Sequence, residues 1–146
     1  MKTLTTIVAG LFLLFTASSF TPAPDVSATI KAVFENSFAP KSEVKWTKYQ
    51  DISVATFKDK GSYMTAAYDE EGNLLVVGKY VSLSQLPENA AKTLQQKYTG
   101  YAMYNSVIEM TTDTTWYLVD VQNEKYKLRL RCDASGSVTV ESRTKK

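Results

Sequence analysis

The sequence predicts an α+β domain in which two short helices cover one face of a continuous antiparallel sheet. Three observations support this class: two amphipathic helical stretches, four strand-like segments after each of them, and an internal repeat that relates the two halves. With 146 residues, of which 44% are hydrophobic and 22% charged, the chain has the composition of one folded domain rather than of a disordered polymer.

Each half begins with a predicted helix. Asp25 is the expected N-cap of the first helix, which ends before Pro40. Pro87 is expected as the first helical residue of the second, and Gly100 as its stop. The apolar residues at helical spacing are Val26, Ile30, Val33 and Phe34 in the first helix, and Ala90, Ala91, Leu94 and Tyr98 in the second.

Four candidate strands rich in β-branched and aromatic residues follow each helix. They cover residues 44–49, 52–57, 62–68 and 74–81 in the first half, and 101–110, 115–121, 126–132 and 138–142 in the second. Residues 58–61 and 122–125 are predicted four-residue hairpin loops. Asp69 to Gly72 and Asp133 to Gly136 are predicted type I turns, each closed by a glycine with positive φ.

An offset of 64 residues aligns the two halves without a gap, and it places Asp69 on Asp133 and Gly72 on Gly136. Apolar landmarks coincide in the same register. We interpret residues 25–146 as a single domain made of two diverged copies, 25–82 and 86–146.

The N-terminus has the three-part layout of a secretory signal peptide. Lys2 supplies the positive charge, residues 7–15 form a short apolar run, and small residues precede Phe20. Residues 1–19 are therefore the predicted signal peptide and 20–24 a leader; an uncleaved anchor is the alternative. Because the only cysteine is Cys132, no lipoprotein anchor is expected. We expect a periplasmic or extracellular chain without a stable membrane anchor after cleavage.

The amino-acid composition argues against the common catalytic mechanisms. There is no histidine and one cysteine, which excludes Ser-His-Asp and Cys-His mechanisms, His-ligated metals and an internal disulfide. A net charge of +2 gives no footprint for nucleic acid. A hydrolase that depends on two carboxylates would need two acids converging in a cleft, and no such pair is visible. We therefore expect a non-enzymatic chain with no catalytic residue, cofactor or metal.

The hairpin from Trp116 to Cys132 alternates most clearly between apolar and polar residues. With a loop at residues 122–125, Val121 faces Tyr126 in a set that belongs to the core beneath the helix. The opposite, outer set pairs Trp116 with Arg131, Leu118 with Arg129, and Asp120 with Lys127. An exposed tryptophan beside arginines is typical of interface hot spots, since the ring buries a large area and the guanidinium stacks and pairs.

The first copy extends this outer face. The predicted partner-binding residues are Trp116, Leu118, Arg129, Arg131, Ile52, Val54 and Tyr63. Two alternatives remain: the leader or the C-terminal strand covers the face, or a one-residue register slip exchanges the two faces.

The expected partner is another exported or envelope protein, which the chain binds and could inhibit. The alternative function is binding of a small molecule or envelope component in a groove lined by Tyr98, Tyr101 and Tyr104. For two further residues, Trp46 and Cys132, we expect a role in packing and not in binding. Trp46 is expected in the core, and Cys132 is expected as a buried free thiol, with an intermolecular disulfide as the alternative.

Several segments of the chain have the pattern of a known family: they are Phe38-Ala39-Pro40, Val44-Lys45-Trp46, Val54-Ala55-Thr56-Phe57, Tyr63 to Asp69 with Gly72, Leu86-Pro87, and Tyr98-Thr99-Gly100-Tyr101. They resemble the PepSY-like, β-lactamase-inhibitory-protein-like (BLIP-like) family of small exported proteins typical of Bacteroidetes. The resemblance covers nearly the whole chain after the signal peptide and implies a tandem α/β₄ fold, a continuous sheet, a periplasmic or extracellular location, and a role in binding or inhibiting other proteins.

Overall fold

A computed structural model describes residues 25–39 and 43–146, so the predicted signal peptide and leader lie outside the described residues. The described chain contains two α-helices, α1 (Ala28–Phe38) and α2 (Glu88–Lys97), and a 3-10 turn at Leu83–Gln85. The strands are β1 (Lys45–Tyr49), β2 (Ile52–Asp59), β3 (Ser62–Tyr68), β4 (Leu74–Ser82), β5 (Ala102–Met103), β6 (Ser106–Thr111), β7 (Thr115–Gln122), β8 (Tyr126–Asp133) and β9 (Val138–Lys145).

The nine strands form an antiparallel sheet in the order β1-β2-β3-β4-β6-β7-β8-β9, with β5 paired to β7. The predicted α+β class is therefore confirmed. The chain divides into two compact units, and the boundary falls inside β4, between Val77 and Gly78. No helix among the described residues is both long enough and apolar enough to cross a bilayer.

In the first unit, α1 packs against β2 and β3. Phe34 is the centre of this contact, with its ring centroid 4.9 Å from that of Phe57 and 5.3 Å from that of Trp46. The expected core position of Trp46 is thus confirmed. The buried cluster consists of Val26, Ile30, Phe34, Ala55, Phe57, Ala66 and Tyr68.

The helix cap differs from the prediction. Ser27, not Asp25, is the N-cap, because its hydroxyl Oγ accepts a hydrogen bond from the N–H of Ile30 at 3.3 Å and satisfies one of the free donors of the first turn. Val26, just outside the helix, is buried nonetheless.

In the second unit, α2 packs against β7 and β8. The buried cluster consists of Leu86, Ala90, Leu94, Val107, Tyr117, Val119, Val121, Leu128, Leu130 and Cys132. Pro87 is the N-cap rather than the first helical residue. Gly100 does not stop the helix: α2 ends at Lys97, and the Thr99 hydroxyl donates to the carbonyl of Gln95 at 2.9 Å.

Both hairpin loops differ from the prediction. The first needs only Lys60 and Gly61, with φ of 47° and 83°, because two residues at positive φ close a tight turn that matches the strand twist. In the second, the side-chain oxygen of Asn123 accepts from the N–H groups of Lys125 and Tyr126, and pairing begins one residue later than predicted.

The β7–β8 register consequently shifts by two residues. Val121 lies opposite Leu128, not Tyr126, and Leu118 lies opposite Arg131. Because side chains alternate with a period of two, an even shift changes the cross-strand partners and leaves each residue on its predicted face. A further difference is that the predicted strand at 101–110 is interrupted, forming β5 and β6.

The two predicted aspartate turns are confirmed. Gly72 and Gly136 have φ of 87° and 92°, and each N–H donates to the carbonyl of the aspartate three residues earlier. Hydrogen bonds lower the pKa of both carboxyls, chiefly from the side chain of Asn73 to Asp69 and from that of Ser135 to Asp133. This matching geometry fits the predicted duplication, which itself stays a prediction.

Candidate protein-binding surface

The helix of each unit defines two faces of its strands. The side that contacts the helix is the helix face, and the opposite side is the outer face. Because cross-strand partners project to the same side, the observed register assigns every residue. The outer face of the first unit carries Lys45, Thr47, Tyr49, Ile52, Val54, Thr56, Lys58, Tyr63, Thr65 and Ala67.

The predicted exposure of Trp116 and Leu118 is wrong. Both lie on the outer face of the second unit, as expected, but they are only 3% and 2% exposed. The register sets Met110 opposite Trp116 and Ile108 opposite Leu118, and both of these β6 residues are also buried. The outer face of β6 and β7 is therefore a second apolar layer and not a water-facing surface.

The arginine beside the tryptophan is engaged within the protein. The guanidinium carbon of Arg131 lies 4.3 Å from the centroid of the Trp116 ring, a cation–π contact, and its Nη1 lies 3.9 Å from the carboxylate of Glu141. The tryptophan and arginine expected to bind a partner are thus neighbours, but the Trp116 ring and the Arg131 guanidinium contact each other within the protein.

Arg129 is held even more tightly. Its Nε and Nη2 donate to the two carboxylate oxygens of Asp120, each at 2.7 Å, and its side chain is 11% exposed. The hydrogen bonds to Asp120 raise the pKa of the guanidinium. Its third nitrogen, Nη1, is buried without a hydrogen-bond partner among the described residues.

In the first unit the predicted exposure of Ile52 and Val54 is also wrong, since they are 9% and 2% exposed. Thr65 and Ala67, their neighbours on the outer face of β3, are buried as well. The reason is visible in β2, whose sequence Ile-Ser-Val-Ala-Thr-Phe places apolar side chains on both faces of the sheet, the pattern of a strand buried on both faces.

Tyr63 is the predicted site residue that the structure leaves open, at 54% exposure. The ammonium of Lys58, directly opposite on β2, lies 4.5 Å from the centroid of its ring. Tyr49, on the edge strand β1, is 43% exposed on the same face. Lys45 and Thr47 of β1 complete the exposed set.

We call these five residues, Lys45, Thr47, Tyr49, Lys58 and Tyr63, the aromatic-basic rim. The rim carries two lysines, two tyrosines and no acidic side chain. The β1 part of this rim was missed by sequence reasoning, although the pattern Lys-Trp-Thr-Lys-Tyr contains the signal. Once Trp46 is assigned to the helix face, alternation sends Lys45, Thr47 and Tyr49 outward.

Two of the three tyrosines predicted to line a groove, Tyr98 and Tyr101, pack against the core instead. Tyr98 and Tyr101 pack edge to face, with ring centroids 5.6 Å apart, and both contact the core of the second unit. Burial raises the pKa of Tyr98. The second unit does contain an open groove of about 680 Å³, but it is lined by Gly100, Ala102, Gln122, Asn123, Glu124, Lys125 and Lys146.

Cys132 is the buried free thiol that the sequence predicts. Burial raises its pKa to about 12, so the thiol stays protonated near neutral pH. Within residues 25–39 and 43–146, no group of three or more acidic or cysteine side chains is placed to hold a metal ion.

The fold has solved counterparts among proteins of Bacteroides. A DUF2874 family protein from Bacteroides uniformis has a TM-score of 0.72 at 14% identity, over 82% of this chain and 88% of its own. A protein suggested to be periplasmic, from Bacteroides eggerthii, also has a TM-score of 0.72, at 11% identity over 86% and 90%. A BLIP-like protein from Bacteroides fragilis has a TM-score of 0.67 at 16% identity over 88% and 89%.

These structures confirm the resemblance to BLIP-like Bacteroidetes proteins at the level of the fold. No protein-family model and no curated protein sequence matches the chain.

Proposed function

We propose that this chain, which has the fold of BLIP-like proteins of Bacteroides, is an exported, non-enzymatic module that binds another exported or envelope protein. In our proposal the binding surface is the aromatic-basic rim of the first unit. The observation that carries it is the exposure of Tyr49 and of Tyr63, whose ring contacts Lys58, on a sheet face whose other apolar residues are buried.

The chemistry of the rim suits a protein partner. Tyrosine offers a large, amphipathic contact area while losing little conformational entropy on binding, and tyrosines are enriched among interface hot spots. The lysines add charge that raises the association rate with an acidic surface and depends on ionic strength. A groove for a small molecule has weaker support, because Tyr98 and Tyr101 are committed to the core of the second unit.

Export is supported by the predicted signal peptide at residues 1–19 and by the similarity to a Bacteroides protein suggested to be periplasmic. Binding at the rim would inhibit a partner only if the rim covered that partner's active site. Inhibition is therefore a consequence to be tested after the partner is known.

The test compares two variants of the secreted chain. Tyr49→Ala combined with Tyr63→Ala removes both exposed rings of the rim, whereas Tyr104→Ala removes a ring of the second unit that is 44% exposed. The immobilised chain is used to capture proteins from the envelope of the native cell, and the captured protein is identified and its affinity measured. We expect the rim variant to bind at least ~30-fold more weakly, since two hot-spot truncations cost about 2 kcal/mol or more.

Thermal unfolding of each variant serves as the control for folding. Equal affinity of the rim variant and the parent chain would contradict the proposal. So would a loss of binding confined to Tyr104→Ala.

A further inference from the structure

We infer that the rim recognises its partner by strand addition: an extended acidic segment of the partner pairs with the edge of β1 that faces away from β2 and that no described strand occupies. This inference rests on the proposed function, because it names the binding mode of the same surface. Edge strands present a row of unpaired N–H and C=O groups, and proteins use such edges to take up an extended peptide.

The backbone of β1 is suited to this pairing. β1 stands at one end of the strand order and pairs with β2 alone among the described strands. In an antiparallel pair, alternate residues turn their N–H and C=O groups away from the partner strand. The five residues of β1 contain no glycine and no proline and pair with β2 in an unbroken register, so the outer edge is regular.

The charges of β1 select the occupant. Lys45 projects on the outer face and Lys48 on the helix face, and both are exposed, so an added strand meets one ammonium on each side. The acidic residues nearest in sequence, Glu43 and Asp51, lie beyond the two ends of β1. A partner strand with two acids three residues apart therefore matches β1, while a second copy of β1 would bring lysines together.

The other end of the sheet lacks these properties. β9 pairs with β8 through a register irregularity at Arg129 and Leu130, and a bulge of this kind twists an edge away from further pairing. β9 also mixes Glu141 with Arg143 and Lys145, so it selects no single sign of charge.

The experiment uses the mature chain and a synthetic peptide, Thr-Val-Glu-Thr-Val-Glu-Val-Thr, with a control peptide in which glutamine replaces both glutamates. Amide hydrogen exchange of β1 is followed by NMR. We expect the acidic peptide to slow exchange at least ~10-fold at alternate residues of β1, those whose N–H groups face outward. The control peptide should leave them unchanged.

Charge variants give a second readout. Lys45→Gln with Lys48→Gln should weaken binding of the acidic peptide at least ~5-fold, whereas Lys97→Gln, at the exposed end of α2, should not. Binding should also weaken as salt rises from 50 to 500 mM, in keeping with screening of surface charges.

Three results would overturn the inference. If the acidic peptide binds without protecting the β1 amides, it contacts side chains and does not add a strand. This result would contradict the inference but not the proposed function. If the acidic peptide does not bind at low salt, an acidic strand is not the occupant of the β1 edge. The proposed function is tested separately, by the affinity of the tyrosine variants for the captured protein. Protection that grows with protein concentration in the absence of peptide would identify a second copy as the occupant.

Discussion

Replacing Gly136 by alanine should destabilise the chain more than the same change at Gly61. Both glycines have a φ that L residues rarely adopt, 92° and 83° respectively, so the backbone strain is nearly the same. Their surroundings differ. A Cβ at Gly136 would lie 3.0 Å from the carbonyl oxygen of Asn89 and 3.1 Å from the hydroxyl of Thr93, whereas a Cβ at Gly61 would meet nothing within 4 Å.

The magnitude follows from these two contributions. The strain of alanine in the left-handed region costs about 1–2 kcal/mol at either position. At Gly136 the Cβ must also displace the backbone of α2, and overpacking of this kind typically costs about 1–3 kcal/mol more. We expect losses of about 1–2 kcal/mol for Gly61→Ala and about 2–5 kcal/mol for Gly136→Ala.

Gly72 provides an intermediate case within the same experiment. Its φ is 87°, and a Cβ there would meet the Thr29 and Val33 methyl groups at 3.6 and 3.8 Å, which is ordinary contact. Gly72→Ala should therefore resemble Gly61→Ala. Urea unfolding of the three variants, monitored by circular dichroism, gives the free energies. Equal destabilisation at Gly61 and Gly136 would refute the close approach of the aspartate turn to α2.

Further predictions concern titratable groups and the contact between Trp116 and Arg131. Cys132 should react with a disulfide reagent at pH 8 at least ~100-fold more slowly in the native chain than in guanidinium, because its thiol is buried and its pKa is raised to about 12. Burial also raises the pKa of Tyr68 to about 12. Both groups thus bind protons more tightly in the folded chain, and the free energy of unfolding, measured in urea, should fall as pH rises from about 9 towards 12, by up to ~1.4 kcal/mol per pH unit for each group. At the acid end, the lowered pKa values of Asp69 and Asp133 should make stability fall as pH drops through about 4, and Asp69→Asn combined with Asp133→Asn should flatten this part of the pH profile. Arg131→Met should shift Trp116 fluorescence and cost about 1 kcal/mol in urea unfolding, since it removes the cation–π contact.

Much of the fold could be predicted because its signals are local. The turn glycines Gly72 and Gly136 occupy the positive-φ positions that the Asp-x-x-Gly pattern indicates. The predicted faces of the β7–β8 hairpin are correct even though the observed register differs by two residues, since side-chain alternation is insensitive to an even shift. Loop length was harder to predict, because Asn123 fixed the second turn through its side chain.

The exposed surface could not be predicted in the same way. Alternation says which side of a strand a residue occupies, but whether that side is dry depends on the rest of the chain. Trp116 lies on the predicted side and is buried there. A better local signal is the density of apolar residues, since β2 and β7 carry them at both alternating sets of positions, which indicates burial on both faces, whereas Lys-Trp-Thr-Lys-Tyr in β1 indicates an open edge.

Site-specific photo-cross-linking in the native envelope tests the location of the binding surface most directly. A benzophenone side chain is placed at position 49, 63 or 104, all of which hold exposed tyrosines. If the rim is the binding surface, positions 49 and 63 give an adduct with the same exported or envelope protein and position 104 gives none. An adduct from position 104 alone would show that the partner binds elsewhere.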